Sequence, residues 1–160
     1  RPLASIRNIP QKERWLGRRW RIGEHLLSLH EIENDWLRAR FIEPRIHFAI
    51  NCASIGCPAL RAEAYNGSEL EQQLEQQTRL FLQDSSRNRS TAERLEVSSI
   101  FKWYKDDFAA GWRGAQSLEQ FLALYGGALG LGETQLQRLR SGNLEIDFLD
   151  YDWNLNDTRP

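Results

Sequence analysis

The chain contains no methionine, two cysteines, three histidines and five prolines in 160 residues, and neither sign of charge predominates. Each shortage excludes something. With 21 basic against 22 acidic side chains and a formal net charge of −1, there is no global field to draw in nucleic acid or an anionic membrane. The basic cluster Lys12, Arg14, Arg18, Arg19 and Arg21, with Trp15 and Trp20 among its charges, is read as a solvated edge rather than a nucleic-acid surface. No apolar run approaches the ~18 residues that span a bilayer, so the chain reads as soluble, with no membrane insertion. Two cysteines make at most one disulfide, and a chain of this length buries enough surface to fold as one domain without it. A chain without methionine that opens on Arg1-Pro2 is expected to be a processed product or a fragment.

What is present reads as helices on a small sheet. Residues 1–27 form an irregular or hairpin-like segment with turn points at Gly17 and Gly23, and residues 28–160 a single α+β domain. Ser28-Leu-His-Glu31 has the form of a capping box, so a helix starts there. Leu29, Ile32, Trp36 and Leu37 share a face of it, and Glu33 lies inside that stripe, where a carboxylate is costly unless paired. Its partner is either Arg40 or Arg45 in an ion pair, or a ligand that the carboxylate orients. A second capping box, Ser68 to Glu71, opens an amphipathic helix with a glutamine-rich, solvated face. Leu95 to Val97 is a short strand, and Ser98 or Ser99 caps an aromatic helix running to Phe108 that belongs to the core. Ser117 caps a further helix stopped at Gly126-Gly127, and Thr134 to Gln137 opens one more turn. Apolar alternation from Leu144 changes parity after Phe148, which suggests a bulged strand. The sheet is expected to be mostly antiparallel.

Chemistry concentrates in Arg45–Pro58, which holds both cysteines and His47. Ile46 to Cys52 reads as a strand closed by a Ser/Gly/Pro segment. Alternation then sets His47, Ala49 and Asn51 on one face, with Phe48, Ile50 and Cys52 on the other. Cys57, after a turn and before Pro58, is the better nucleophile candidate; His47 supplies a base, and Asn51, Glu33 or Asp152 an orienting group. Three other readings stand beside it: a Cys52–Cys57 disulfide, two inert thiols, or a metal site of His47, Cys57 and a carboxylate, the last without any CxxC or HxxxH spacing to support it. No cofactor is expected.

The run from His47 to Pro58, HFAINCASIGCP, resembles the signature of the "domain of unknown function 547" family. In the same order, Ser28 to Glu33 resembles its SLxxIE element, Leu37-Arg38 its Leu-Arg, Phe101 to Phe108 its FKWYxxDF, and Tyr151 to Asn156 its closing YDWxLN. The resemblance implies a fold and a family, but no reaction. Bacterial members commonly carry export signals, which implies a periplasmic or extracellular setting, and plant members place the domain after a coiled coil, which implies an interaction role. Members usually carry an upstream helical part with a Trp-x-Asn-x-Tyr-Asn-Ala type motif, and nothing like it occurs in these residues. Glycine stands at position 56, where the family often has serine.

Two functions follow. The preferred one is a non-catalytic envelope or scaffold domain, in which the cysteine segment is a staple and exposed tryptophans of the first segment meet a protein partner. The alternative is a cysteine-dependent hydrolase or acyl transferase using Cys57 and His47.

Overall fold

In the computed structural model, which describes residues 3–157, glycine and capping chemistry set the first elements. Helix α1 (Gln11–Arg14) leads into the antiparallel strands β1 (Trp20–Ile22) and β2 (His25–Leu27), with Trp20 opposite Leu27. Gly23 turns between them at φ +59°, a left-handed conformation in which only glycine avoids a steric cost. At Ser28 the capping box forms: the serine hydroxyl accepts from the Glu31 amide, and the Glu31 carboxylate accepts from the Ser28 amide. The Arg18 guanidinium, with the Ser28 donors, holds Glu31 down at about 2 and ties the hairpin to the helix. That helix, α2 (Leu29–Glu31), continues as a π-helical segment over Ile32–Arg38, a local widening that is frequent at functional sites.

The cysteine segment is not a strand. Ile46–Ala49 forms one helical turn, α3, closed by the Ile50 amide on the Ile46 carbonyl at 3.0 Å. The reason is burial on consecutive positions: Arg45, Ile46, His47 and Phe48 are all buried, whereas a strand would send alternate residues to opposite faces. Helical geometry puts Phe48 among Phe81, Phe101 and Phe108, with ring centroids 5.0 to 5.8 Å away. It turns the adjacent His47 against Tyr104 instead.

Helix α4 (Leu70–Gln83) follows the apolar periodicity, burying Leu74, Phe81 and Leu82. Its expected Ser68 cap is absent: Glu69 is the N-cap, and Glu71 reaches Arg45 rather than back to the helix start. The glutamine face is also partly covered. Gln73 and Gln77 are buried, each donating to a carbonyl of the 59–64 loop. Strands β3 (Arg89–Ser90), β4 (Arg94–Ser98) and β5 (Glu145–Leu149) form a sheet in that order, β3–β4 antiparallel and β4–β5 parallel. A parallel pair needs a long crossover. It is made by α5 (Ile100–Trp103), α6 (Lys105–Phe108), α7 (Leu118–Leu124, capped by Ser117) and α8 (Glu133–Arg140).

The architecture is therefore α+β: helices packed on two small sheets, antiparallel except for β4–β5. Two sequence expectations are corrected here. The aromatic helix is broken at Tyr104, whose ψ of +26° ends α5 before α6 begins, and Trp103 is half-exposed rather than core. No bulge lies within β5, whose register against β4 is one-to-one; the parity changes because the strand ends at Leu149. The segment after it crosses the cysteine loop instead, with the Asn154 and Asp152 carbonyls accepting from the Ile55 and Gly56 amides at 2.9 Å.

Candidate functional site

A cavity of about 490 Å³ opens where α2 and its π-helical extension, α3, the cysteine loop, α5 and the segment after β5 converge. Leu29, Ile32, Ile50 and Ile100 give it apolar walls, and Trp15, Trp103, Tyr104, Tyr151 and Trp153 give it aromatic ones. Four of the five residues singled out in the sequence line it: Glu33, His47, Asn51 and Cys57. Asp152 does not. Its carboxylate accepts from the Asn154 amide at 2.9 Å, on an exposed turn, and its backbone carbonyl is what holds the cysteine loop.

His47 is oriented by a residue that sequence reasoning passed over. Its Nε2 lies 2.8 Å from Oδ2 of Asp107, and its ring stacks on Tyr104 at 3.9 Å. Arg38 grips the same carboxylate, with Nε at 2.6 Å and a terminal nitrogen at 3.1 Å. Burial drives the His47 imidazole down to about 4, although Asp107 pulls the other way. At neutral pH the ring is therefore neutral, with Nε2–H donating to the carboxylate. Burial alone would raise Asp107, but hydrogen bonds from Arg38 and His47 hold it below the usual carboxylate range. The arrangement is a neutral base with its orienting group.

The two sulfurs face each other. Cys52 and Cys57 lie at disulfide-bonding distance, with Cα atoms 6.2 Å apart, inside the span a disulfide bridges. The Cys52 amide donates to Cys57 Sγ at 2.9 Å, and the Tyr151 hydroxyl lies 3.1 Å from each sulfur. Burial pushes that phenol up to about 12, so it remains a donor. Neither sulfur is hydrogen-bonded to an imidazole among the described residues; the contacts of His47 run to Asp107 and Tyr104. Asn51 is spent on the loop: Oδ1 accepts from Ala53 at 2.7 Å, and Nδ2 donates to the Pro58 carbonyl at 2.8 Å. This clamp holds Ala53 at φ +59°, which an alanine adopts only under constraint. A Cβ at Gly56 would meet the Tyr151 ring at 2.8 Å, so glycine there is what lets the tyrosine close over the pair.

The family described as "Protein of unknown function, DUF547" matches residues 5–82. Over those residues, just under half of the chain, the sequence is similar to the DUF547 family. No curated protein and no solved structure matches the chain. The DUF547 stretch supplies Trp15, Glu33, His47, Asn51 and both cysteines, while Trp103, Tyr104, Asp107, Tyr151 and Trp153 come from beyond it, in the two later motifs.

Glu33 pairs with neither arginine expected of it. Its Oε1 accepts from the Tyr104 hydroxyl at 3.0 Å, while Arg40 stacks on Trp36 and Arg45 binds Glu43 and Glu71. Burial and the Glu33 charge both push the Tyr104 phenol up, so it stays protonated and donating. The residues not singled out as site candidates, Arg38, Tyr104, Asp107 and Tyr151, did carry a usable signal: each lies in one of the motifs that resemble the family's, Leu37-Arg38, Phe101 to Phe108 and Tyr151 to Asn156. Among the described residues no group of three His, Cys, Asp or Glu side chains gathers as a metal would require, and no helix is long and apolar enough to cross a membrane.

Proposed function

We propose that this chain acts as a non-catalytic binding domain of the envelope or scaffold kind, whose aromatic cleft receives an apolar group of a partner and whose Cys52–Cys57 pair is a staple for the cleft floor. The observation that carries the reading is the commitment of the would-be catalytic groups. Cys57 faces Cys52 and Tyr151, His47 is hydrogen-bonded to Asp107, and Asn51 shapes the loop. A cleft with mostly apolar walls and few polar groups has the composition of a ligand site. The staple reading carries an oxidising compartment with it, periplasmic or extracellular.

The test has two arms. Iodoacetamide labelling of unreduced protein, read by peptide mass spectrometry across pH, leaves both cysteines unmodified until reductant is added. Titration with 2-phenylethanol shifts the indole N–H resonances of Trp15, Trp103 and Trp153 saturably. Absence of any saturable shift overturns the cleft.

A hydrolase or acyl transferase is the second reading, supported by the oriented, neutral His47 lining the same cavity as Cys57. It requires the reduced pair: the Cys57 thiol gives its proton to the His47 base and its sulfur attacks an acyl carbon, expelling the leaving group. Fast labelling of Cys57 in unreduced protein, with an apparent pKa well below the unperturbed ~8.5, replaces the staple by this reading.

A further inference from the structure

We infer that the cleft selects a ligand bearing a cation on an aromatic or apolar body, an arylalkylammonium-type group, with Glu33 as its counter-ion. The inference rests on the binding reading above and assigns it a chemical class.

Among the described residues that line the cleft, Glu33 is the one carrying a carboxylate, ammonium or guanidinium group. A carboxylate offers about four acceptor positions, and among the described residues a single hydrogen bond, from Tyr104, is made to this one. The neighbouring cations spend their hydrogen bonds elsewhere, although the Arg38 charge still reaches Glu33. Arg38 is held by both oxygens of Asp107, and Arg45 by Glu43 and Glu71. His47 is neutral at physiological pH and turned to Asp107. A half-buried carboxylate facing apolar walls is costly until a cation meets it.

The walls favour the same ligand. Trp103, Tyr151 and Trp153 form a continuous aromatic surface, with centroids 4.6 to 5.7 Å apart, and the faces of such rings attract cations. Two of the cleft rings already hold one on a face: Arg7 lies 5.2 Å over Trp153, and Arg38 lies 4.9 Å over Tyr104. An anionic ligand would meet Glu33 as a like charge. A neutral one would bury the carboxylate without satisfying it.

The experiment titrates the whole chain with three probes of one shape, 2-phenylethylammonium, 2-phenylethanol and phenylacetate, following the tryptophan indole resonances. The ammonium binds at least about tenfold more tightly than the alcohol, as one charge-assisted hydrogen bond implies, and phenylacetate binds most weakly. Glu33→Gln brings the ammonium down to the level of the alcohol. If all three bind alike, or if E33Q keeps the preference for the ammonium, the cation class is overturned while the cleft stands. If none binds, the cleft itself falls, and this inference with it. The comparison of probes on the unsubstituted chain does not depend on how the variant folds.

Discussion

His47 makes the folded state acid-sensitive in a window where ordinary carboxylates are still silent. Its folded value lies at about 4 because the imidazole is buried between Tyr104, Phe108 and Asp107, while the unfolded chain titrates near ~6.5. The folded pKa is depressed, so its contribution is fully present above the unfolded value and is lost as pH falls towards the folded one. Between pH 7.5 and pH 5 the unfolded state takes up a proton that the native state refuses, which costs about 2 kcal/mol of stability. Asp107, Glu71 and Asp84 are all held below their usual values, so their losses set in below that window. The perturbation that isolates the histidine is His47→Gln, which keeps a donor for Asp107 and cannot charge. Urea unfolding at pH 7.5, 6 and 5 measures both proteins. H47Q is the less stable at pH 7.5, and the gap narrows by about 2 kcal/mol at pH 5. Parallel losses in the two proteins, or an NMR titration of the His47 ring with its midpoint near ~6.5, would refute the account of a buried neutral imidazole.

Three other substitutions probe the supports of the site. Phe48→Ala empties the centre of the phenylalanine cluster, a fully buried position, and is expected to cost roughly 3–5 kcal/mol by denaturant unfolding. Arg45→Gln removes a guanidinium that is 1% exposed and bound to Glu43 and Glu71; because Glu71 is largely exposed and regains water, the loss is expected near 3 kcal/mol, roughly the low end for breaking a buried pair. Gly56→Ala drives a methyl into the Tyr151 ring, an overpacking worth roughly 1–3 kcal/mol in thermal unfolding. The displaced tyrosine should also leave the Cys52–Cys57 pair faster to reduce with a water-soluble phosphine, and an unchanged reduction rate would argue against Tyr151 as its cover.

Local chemistry was legible wherever one residue type at one spacing settles the backbone. Ser28 and Glu31 close their box because each side chain reaches an amide three residues away, and Ser117 caps its helix on the Gln120 amide for the same reason. Leu74, Phe81 and Leu82 mark the buried face of the long helix, and the Leu95–Val97 run is a strand. These outcomes depend on contacts within a few positions, which the sequence contains. The clustering of both cysteines with His47 likewise named one wall of the cleft.

Only the tertiary structure decided which partners those residues take. Ile46–Ala49 turns helical because Arg45, Ile46, His47 and Phe48 are buried on consecutive positions, which overrides a β-compatible composition. The group that orients His47 is Asp107, sixty residues on, and not Glu33, Asn51 or Asp152. Tyr151 reaches the sulfurs from ninety-four residues beyond Cys57. Glu33 is left facing the cleft because Arg45 and Arg38 found other carboxylates first. Periodicity reports which face of an element turns inward; the identity of what it meets there depends on how distant elements cross, and no local spacing encodes that.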